Sequence, residues 1–182
     1  MEPPQNPAGP YVSTDVIRPE RRHELIGIVA AVPTALAAAV AGLGAAELDT
    51  KYRNWTVRQI VHHLADSHAN AYIRCRLALT EHQPTIKPYD EGRWADLPDA
   101  KASDVAPSLV LLTGLHARWV GLFEGLDEAQ FARTFFHPES RQVVPLAEAL
   151  SQYAWHGQHH TAQIVWLREQ RGWPLGEGRR ER

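Results

Sequence analysis

Apolar residues recur every three or four positions along four long stretches of the chain. This spacing puts them on one face of a helix, so each stretch is predicted to be an amphipathic α-helix. The first two faces comprise Leu25, Val29, Val32, Leu36, Val40 and Leu43, and then Val57, Ile60, Val61, Leu64, Ala71 and Ala78. The last two comprise Val105, Leu109, Leu112, Trp119 and Phe123, and then Leu146, Leu150, Tyr153, Gly157, Thr161 and Ile164. With no strong strand signal, four such helices predict an all-α four-helix bundle, and long connections over residues 84–102 and 124–145 allow crossover loops.

Capping and breaking residues set the expected ends of these helices. Pro19 suits the first turn of the first helix, and Pro33 inside it is expected to kink it. Residues 56–59 fit a capping box that opens the second helix at Thr56. Ser103 or Asp104 is expected to cap the third.

The C-terminal half gives weaker boundary signals. Asp127 is expected to start a short helical turn, and residues 134–141 are expected to be irregular. The last helix is predicted over residues 145–171, stopped by Gly172 and Pro174. We therefore expect an extended or disordered arm over residues 1–18, one four-helix-bundle domain over 19–175 and a flexible tail over 176–182.

Composition narrows the class of protein. With 182 residues, 19 basic and 21 acidic side chains and a net charge of −2, the chain shows no nucleic-acid footprint. No segment is expected to be apolar for long enough to span a bilayer, and residues 1–7 lack the layout of a signal peptide. Cys75 is the only cysteine, so no internal disulfide can form. We expect a cytoplasmic protein with neither nucleic-acid nor membrane partners.

Six of the ten histidines lie in two short stretches of the second and last helices. His156 and His160 are four residues apart, which lets both imidazoles share one metal ion. A third ligand must come from the second helix. There, helical periodicity leaves His63 and His68 both open and points His62 outward. A buried histidine is more often a hydrogen-bonded core residue than a ligand, which weighs most against His68.

Several motifs resemble the DinB-like metalloprotein superfamily, and most closely its YfiT branch. They are WTVRQIVHHLADSH at 55–68, YIR at 72–74, LALTE at 77–81, LHARW at 115–119, HPES at 137–140 and YAWHGQHH at 153–160. The likeness spans about residues 11–175, although the loop over residues 51–54 looks shortened. It implies a four-helix bundle in which His63, His156 and His160 bind one divalent ion, Zn or Ni. It also implies a cytoplasmic homodimer acting as a metal-dependent hydrolase or a bacillithiol S-transferase.

Three neutral imidazoles would leave the ion its full charge and an open position, which would acidify a bound water or thiol. Hydrolytic sites usually add a carboxylate base, but Gly157 follows His156, and Asp66 and Glu148 are not well placed by spacing. We therefore expect S-transfer of a low-molecular-weight thiol, such as bacillithiol, to small electrophiles. The alternatives are a metal-dependent hydrolase and a non-catalytic metal- or ligand-binding bundle.

Other polar residues are candidates for supporting roles. Asp66, Tyr153 and His159 are candidates for holding the ligands or moving protons during catalysis. Asn70 and Arg74 share an edge of the second helix with His63, and Arg74 is a candidate for binding an anionic group of a substrate. The alternative for this edge is a solvated face.

Overall fold

The computed structural model describes residues 2–13, 17–102 and 104–174. Most of this part of the chain is helical, with two short hairpins. In chain order the elements are α1 (Pro19–Val40), α2 (Ala45–Leu48), β1 (Lys51–Tyr52), β2 (Trp55–Thr56), α3 (Val57–Thr80), α4 (Glu91–Ala95), α5 (Pro98–Ala102), α6 (Ala106–Glu124), α7 (Glu128–Phe131), β3 (Thr134–His137), β4 (Gln142–Pro145) and α8 (Leu146–Arg171).

The four long helices form a bundle whose spatial order differs from their order in the chain. Helix α1 packs mainly against α6 and α8, and α3 packs mainly against the same two helices. The order around the bundle is therefore α1, α6, α3, α8, and the chain crosses the bundle between α1 and α3 and between α6 and α8. The predicted four-helix bundle with crossover loops is confirmed.

Local capping chemistry sets the start of α3, as the sequence predicts. The Thr56 hydroxyl accepts a hydrogen bond from the Gln59 amide at 3.1 Å, and the Gln59 side chain accepts one from the Thr56 amide at 3.0 Å. The same reciprocal pair between Asp127 and Gln130 opens α7, so the predicted short helical turn there is also confirmed.

The start of α6 differs from the prediction, whereas the end of α8 agrees with it. The N-cap residue of α6 is Val105, whose side chain makes no capping hydrogen bond; Asp104, one residue earlier, accepts a hydrogen bond from the Ala106 amide at 3.0 Å, and Ser103 lies outside the described residues. Gly172 adopts a left-handed conformation with φ of +64°, which favours glycine, and it ends α8 at the predicted position.

The expectation of irregular structure over residues 134–141 was wrong for residues 134–137, which form β3, whereas residues 138–141 form the turn of a hairpin. β3 pairs antiparallel with β4, and Phe135 faces Val144 across the hairpin. Aromatic and β-branched residues favour strands, and Pro138 lies in the turn, where it removes no ladder hydrogen bond. The 84–102 connection is also more ordered than expected, since it contains α4 and α5.

The expectation that no segment is apolar for long enough to span a bilayer does not hold for α1. By length and composition this helix is apolar enough to cross a bilayer, with a mean hydropathy of 1.7. A core helix of a bundle has the same composition, and α1 buries residues such as Leu25 and Leu36 against its neighbours. One such helix is weak evidence for a membrane span.

The described part of the N-terminal arm lies along the bundle without helix or strand. Trp155 Nε1 on α8 donates to the carbonyl of Gly9 at 2.9 Å, and the Tyr11 hydroxyl donates to the Glu148 carboxylate. Tyr52 donates to the carbonyl of Pro4. Residues 2–13 are therefore tied to α8 and to the first hairpin. The expected tail over 176–182 lies outside the described residues.

At Gly157, helix α8 packs directly against Val32 of α1. A methyl group built at this position would overlap Val32 Cγ2 and lie 2.9 Å from Val32 Cγ1. We expect Gly157→Ala to destabilise the protein by about 1–3 kcal/mol through overpacking. Chemical denaturation of the variant measures this loss.

Two further variants separate overpacking from helix propensity. Gly114→Ala, in α6 where nothing lies within 4 Å, should instead stabilise by roughly 0.5–1 kcal/mol. Adding Val32→Ala to Gly157→Ala should recover part of the loss, because the overlapping methyl groups are then gone. Additive effects of these two substitutions would contradict a direct clash.

Candidate metal centre

Helices α3 and α8 bring three histidine side chains together. One ring nitrogen from each of His63, His156 and His160 lies within 4.8 Å of the others. The Nε2 atoms of His63 and His156 are 3.3 Å apart. His63 and His160 are buried and His156 is half-buried, and all three belong to long helices that fix their backbones. Within the described residues, this is the group of acidic, cysteine and histidine side chains that could hold a metal ion.

In two of these rings, Nδ1 lies within hydrogen-bond distance of a side chain outside the group. His160 Nδ1 lies 2.8 Å from Gln163 Oε1, an acceptor, so this nitrogen carries the proton and Nε2 is left as a lone pair. His156 Nδ1 lies 3.1 Å from His68 Nε2. Trp55 packs on His63, with ring centroids 4.5 Å apart. Such contacts hold ligand rings in one orientation.

Burial keeps these imidazoles neutral at physiological pH. It lowers the pKa of His63 to about 3, with the nearby His160 acting in the same direction, and it lowers the pKa of His160 to about 4. Burial also holds the pKa of His156 well below its usual range. Neutral imidazole is the form that binds a metal.

The donor set fits a divalent transition ion. The Nε2 atoms of His63 and His156 are 3.3 Å apart and the His160 ring nitrogen lies within 4.8 Å of both, so all three nitrogens are close enough to bind one ion. Three imidazole ligands leave a position open in a tetrahedral site. His63, His156 and His160 are therefore the residues that could hold the ion.

His68, the alternative to His63 from helical periodicity, is fully buried beside this group. Both of its ring nitrogens are within hydrogen-bond distance of other histidines, Nδ1 of His116 at 2.8 Å and Nε2 of His156 at 3.1 Å. His62 does not point outward as expected: it is buried, and its Nδ1 lies 2.8 Å from the Ser108 hydroxyl on α6.

The candidate proton-handling residues differ in how they relate to the group. Half-buried Asp66 is not part of the histidine group, and burial together with the Asp99 carboxylate raises its pKa to about 6. The Tyr153 ring contacts His68 and His156, with ring centroids at 5.3 and 5.6 Å, and burial raises the pKa of its phenol. Tyr153 is therefore a hydrogen-bond donor at neutral pH.

His159 and Glu148 make contacts of other kinds. His159 is buried, stacks on Trp155 at 4.7 Å, and lies 3.0 Å from Gln163 Nε2. It thus supports Gln163, which holds His160. Glu148 accepts a hydrogen bond from Tyr11 of the N-terminal arm.

The two candidate substrate-binding residues make local contacts. Asn70 donates to the backbone carbonyl of Asp66 at 2.9 Å, and Arg74 donates to the carbonyl of Lys87 at 3.2 Å with its guanidinium over the Tyr89 ring. Their role toward a substrate stays a prediction.

The residues that sequence reasoning missed are His116 and Gln163. Gln163 was detectable, because it follows His160 by three positions on the same helix face. His116 lies on α6, and its contact with His68 depends on how two helices distant in sequence pack together.

A cleft of about 410 Å³ reaches the group from the surface. It is lined by Trp55 and Arg53 from the first hairpin and by His160 and Gln163 from α8. A small molecule that enters this cleft therefore meets a ring of the histidine group.

Comparison with known proteins gives one consistent result. The family model described as "DinB superfamily" matches residues 28–164. The "Putative metal-dependent hydrolase YfiT" of Bacillus subtilis (strain 168) is 46% identical over 169 residues, covering 92% of this chain and 95% of that protein. A "Putative metal-dependent hydrolase" of Geobacillus thermodenitrificans (strain NG80-2) is 45% identical over 175 residues, covering 95% and 98%.

A solved structure agrees with the fold. YfiT from Bacillus subtilis, described as a probable metal-dependent hydrolase with an unusual four-helix bundle topology, has a TM-score of 0.91 and 45% identity. The match covers 93% of this chain and 98% of that one.

Proposed function

Because this chain belongs to the DinB superfamily, we propose that it is a metal-dependent enzyme whose three-histidine site activates a low-molecular-weight thiol for transfer to a small electrophile. Zinc or nickel as the ion, a bacillithiol-like thiol, and a homodimeric assembly in the cytoplasm are part of the same proposal. When bound, the divalent ion supplies a Lewis acid that lowers the pKa of a thiol or water reaching it.

The purely imidazole composition of the group carries this proposal. His63, His156 and His160 are neutral and contribute no negative charge, so the positive charge of the ion stays available to a thiolate. A thiolate is already a strong nucleophile, whereas hydrolysis gains from a carboxylate base. Within the described residues, no carboxylate belongs to the group.

The proposal assigns tasks to four further side chains. Trp55 and Arg53 line the cleft at His160, and Arg53 offers a cation to an anionic substrate there. Asp66, with a pKa of about 6, is ionised at neutral pH and able to accept a proton. Tyr153 keeps its proton and donates a hydrogen bond.

Metal-dependent hydrolysis is the second candidate, and the names of the relatives favour it. It uses the same three histidines and the same Lewis acid. In that case Asp66 accepts the proton of the attacking water.

An assay that varies the thiol separates these candidates. We expect the zinc-loaded protein to consume a chloronitroarene only when a thiol such as bacillithiol or cysteine is added. Chelation should abolish this turnover, and added zinc should restore it. Faster turnover of a nitrophenyl ester without thiol would select the hydrolase, and no metal-dependent turnover in either assay would select a non-catalytic bundle.

A further inference from the structure

Three histidines outside the cleft are linked end to end through the bundle core. His156 Nδ1 lies 3.1 Å from His68 Nε2, and His68 Nδ1 lies 2.8 Å from His116 Nε2. His116 Nδ1 lies 2.7 Å from the backbone carbonyl of Val29. The series takes one residue from each long helix and follows their spatial order, α8, α3, α6 and α1.

The Val29 carbonyl at the end of the series sets the direction in which each hydrogen bond is donated. A carbonyl oxygen only accepts hydrogen bonds, so His116 Nδ1 must carry a proton. His68 and His116 are 0% and 1% exposed and hydrogen-bond to neutral groups, an environment that disfavours an imidazolium ion, so each ring is neutral and carries one proton. His116 Nε2 therefore accepts from His68 Nδ1, and His68 Nε2 accepts from His156 Nδ1. In each contact only one of the two nitrogens can donate the hydrogen bond. His156 therefore carries its proton on Nδ1 and its lone pair on Nε2, which faces His63.

Pro33 explains why the Val29 carbonyl is available. In a regular helix this carbonyl would accept from the amide four residues later, which here belongs to Pro33. Proline has no N–H, so the carbonyl of Val29 lacks its helical partner. The carbonyl is buried, since Val29 is 0% exposed, and a buried acceptor needs another donor. His116 supplies it.

We propose that this one-way chain, from His156 through His68 and His116 to the Val29 carbonyl, holds His156 in the tautomer that presents Nε2 to the metal. His68 and His116 are then positioning residues rather than ligands. The inference rests on the metal site of the proposed function but is independent of the reaction catalysed.

The proposed chain of hydrogen bonds can be tested by three substitutions at His116, which differ in which of its two hydrogen bonds they keep. Glutamine carries its terminal oxygen about where imidazole Nε2 lies, so His116→Gln keeps an acceptor for His68. Asparagine reaches only about as far as Nδ1, so His116→Asn keeps a donor for Val29 but offers His68 no acceptor. His116→Phe removes both. Ser108→Ala, at the same α3–α6 interface, controls for a lost polar contact outside the chain.

Two measurements follow, with zinc alone as the probe. Competition against a chromophoric chelator should show zinc binding weakened by about 10- to 100-fold in His116→Asn and His116→Phe. His116→Gln and Ser108→Ala should stay near wild type. Equal zinc affinity in all four folded variants would overturn the proposal.

The second measurement needs neither a metal nor a variant. Long-range ¹H–¹⁵N correlation spectra of the chelator-treated wild type should show His156, His68 and His116 all protonated on Nδ1. A proton on Nε2 of His156 or His68 would contradict the proposed chain of hydrogen bonds even if zinc binds. Failure of the wild type to bind zinc, with these tautomers present, would instead contradict the metal site.

Discussion

Replacing His63 by alanine should abolish zinc binding and the proposed thiol-transfer activity together, while the fold survives. The His63 nitrogen is one of three that converge, and its pKa of about 3 keeps it free of a competing proton. Loss of a residue that merely supports a ligand costs about 10- to 100-fold in affinity, and loss of a ligand itself should exceed that. Metal analysis after dialysis and the thiol-dependent assay measure both effects.

The adjacent histidine offers a matched control for this experiment. His62 is also buried on α3, but it contacts Ser108 on α6. His62→Ala should therefore lower stability and leave the zinc content unchanged. Zinc loss in His62→Ala with retention in His63→Ala would invalidate the ligand assignment. Unfolding of His63→Ala in the presence of zinc would point to an ion with a structural role.

The metal-free protein should lose stability steeply as the pH falls below about 6.5. Because burial lowers the pKa of His63 to about 3 and of His160 to about 4, the unfolded chain binds protons at these positions that the folded chain does not. The stability that these neutral histidines contribute is therefore fully present above the pKa of histidine in the unfolded chain, and it decreases as the pH falls from 6.5 toward 4. Each buried histidine contributes a slope of up to about 1.4 kcal/mol per pH unit. Urea denaturation of chelated protein between pH 7 and pH 5 measures it.

Asp66 provides an internal check on the sign of this effect. Its folded pKa is raised to about 6, so the folded state holds a proton that the unfolded state releases. The stabilisation that protonated Asp66 contributes is present at low pH and is lost as the pH rises through 6. Its effect on the pH dependence of stability is therefore opposite to that of the buried histidines. Asp66→Asn should therefore steepen the acid destabilisation, whereas His63→Gln should make it shallower. An unchanged slope in His63→Gln would show that burial does not shift this histidine.

Features that depend on neighbours along the chain could be predicted from the sequence. The capping box at Thr56 and the stop at Gly172 are formed by residues within one turn of each other. The short hairpin over residues 134–145 was missed, because its two strands of four residues each are too short to give a clear alternation.

The histidines of α3 show where such reasoning stops. Periodicity gives the angle of each side chain around its own helix, but not which neighbour covers that angle. It placed His62 outward, yet α6 covers this edge of α3. It also left His63 and His68 open as partners of α8, and these two side chains contact the same ring, His156, from different sides.

By itself the sequence determined four amphipathic helices, the capping box at Thr56 and the pairing of His156 with His160, since these follow from the spacing of residues within one helix. Residue spacing left His63 and His68 both open and the family resemblance favoured His63, but only the tertiary structure brought His63 beside His156 and His160 and placed Val32 beside Gly157. It also decided that the Val29 carbonyl, freed by Pro33, receives the far end of the histidine chain. The physical reason is that these contacts join helices through the crossover order α1, α6, α3, α8, which no spacing within one helix encodes.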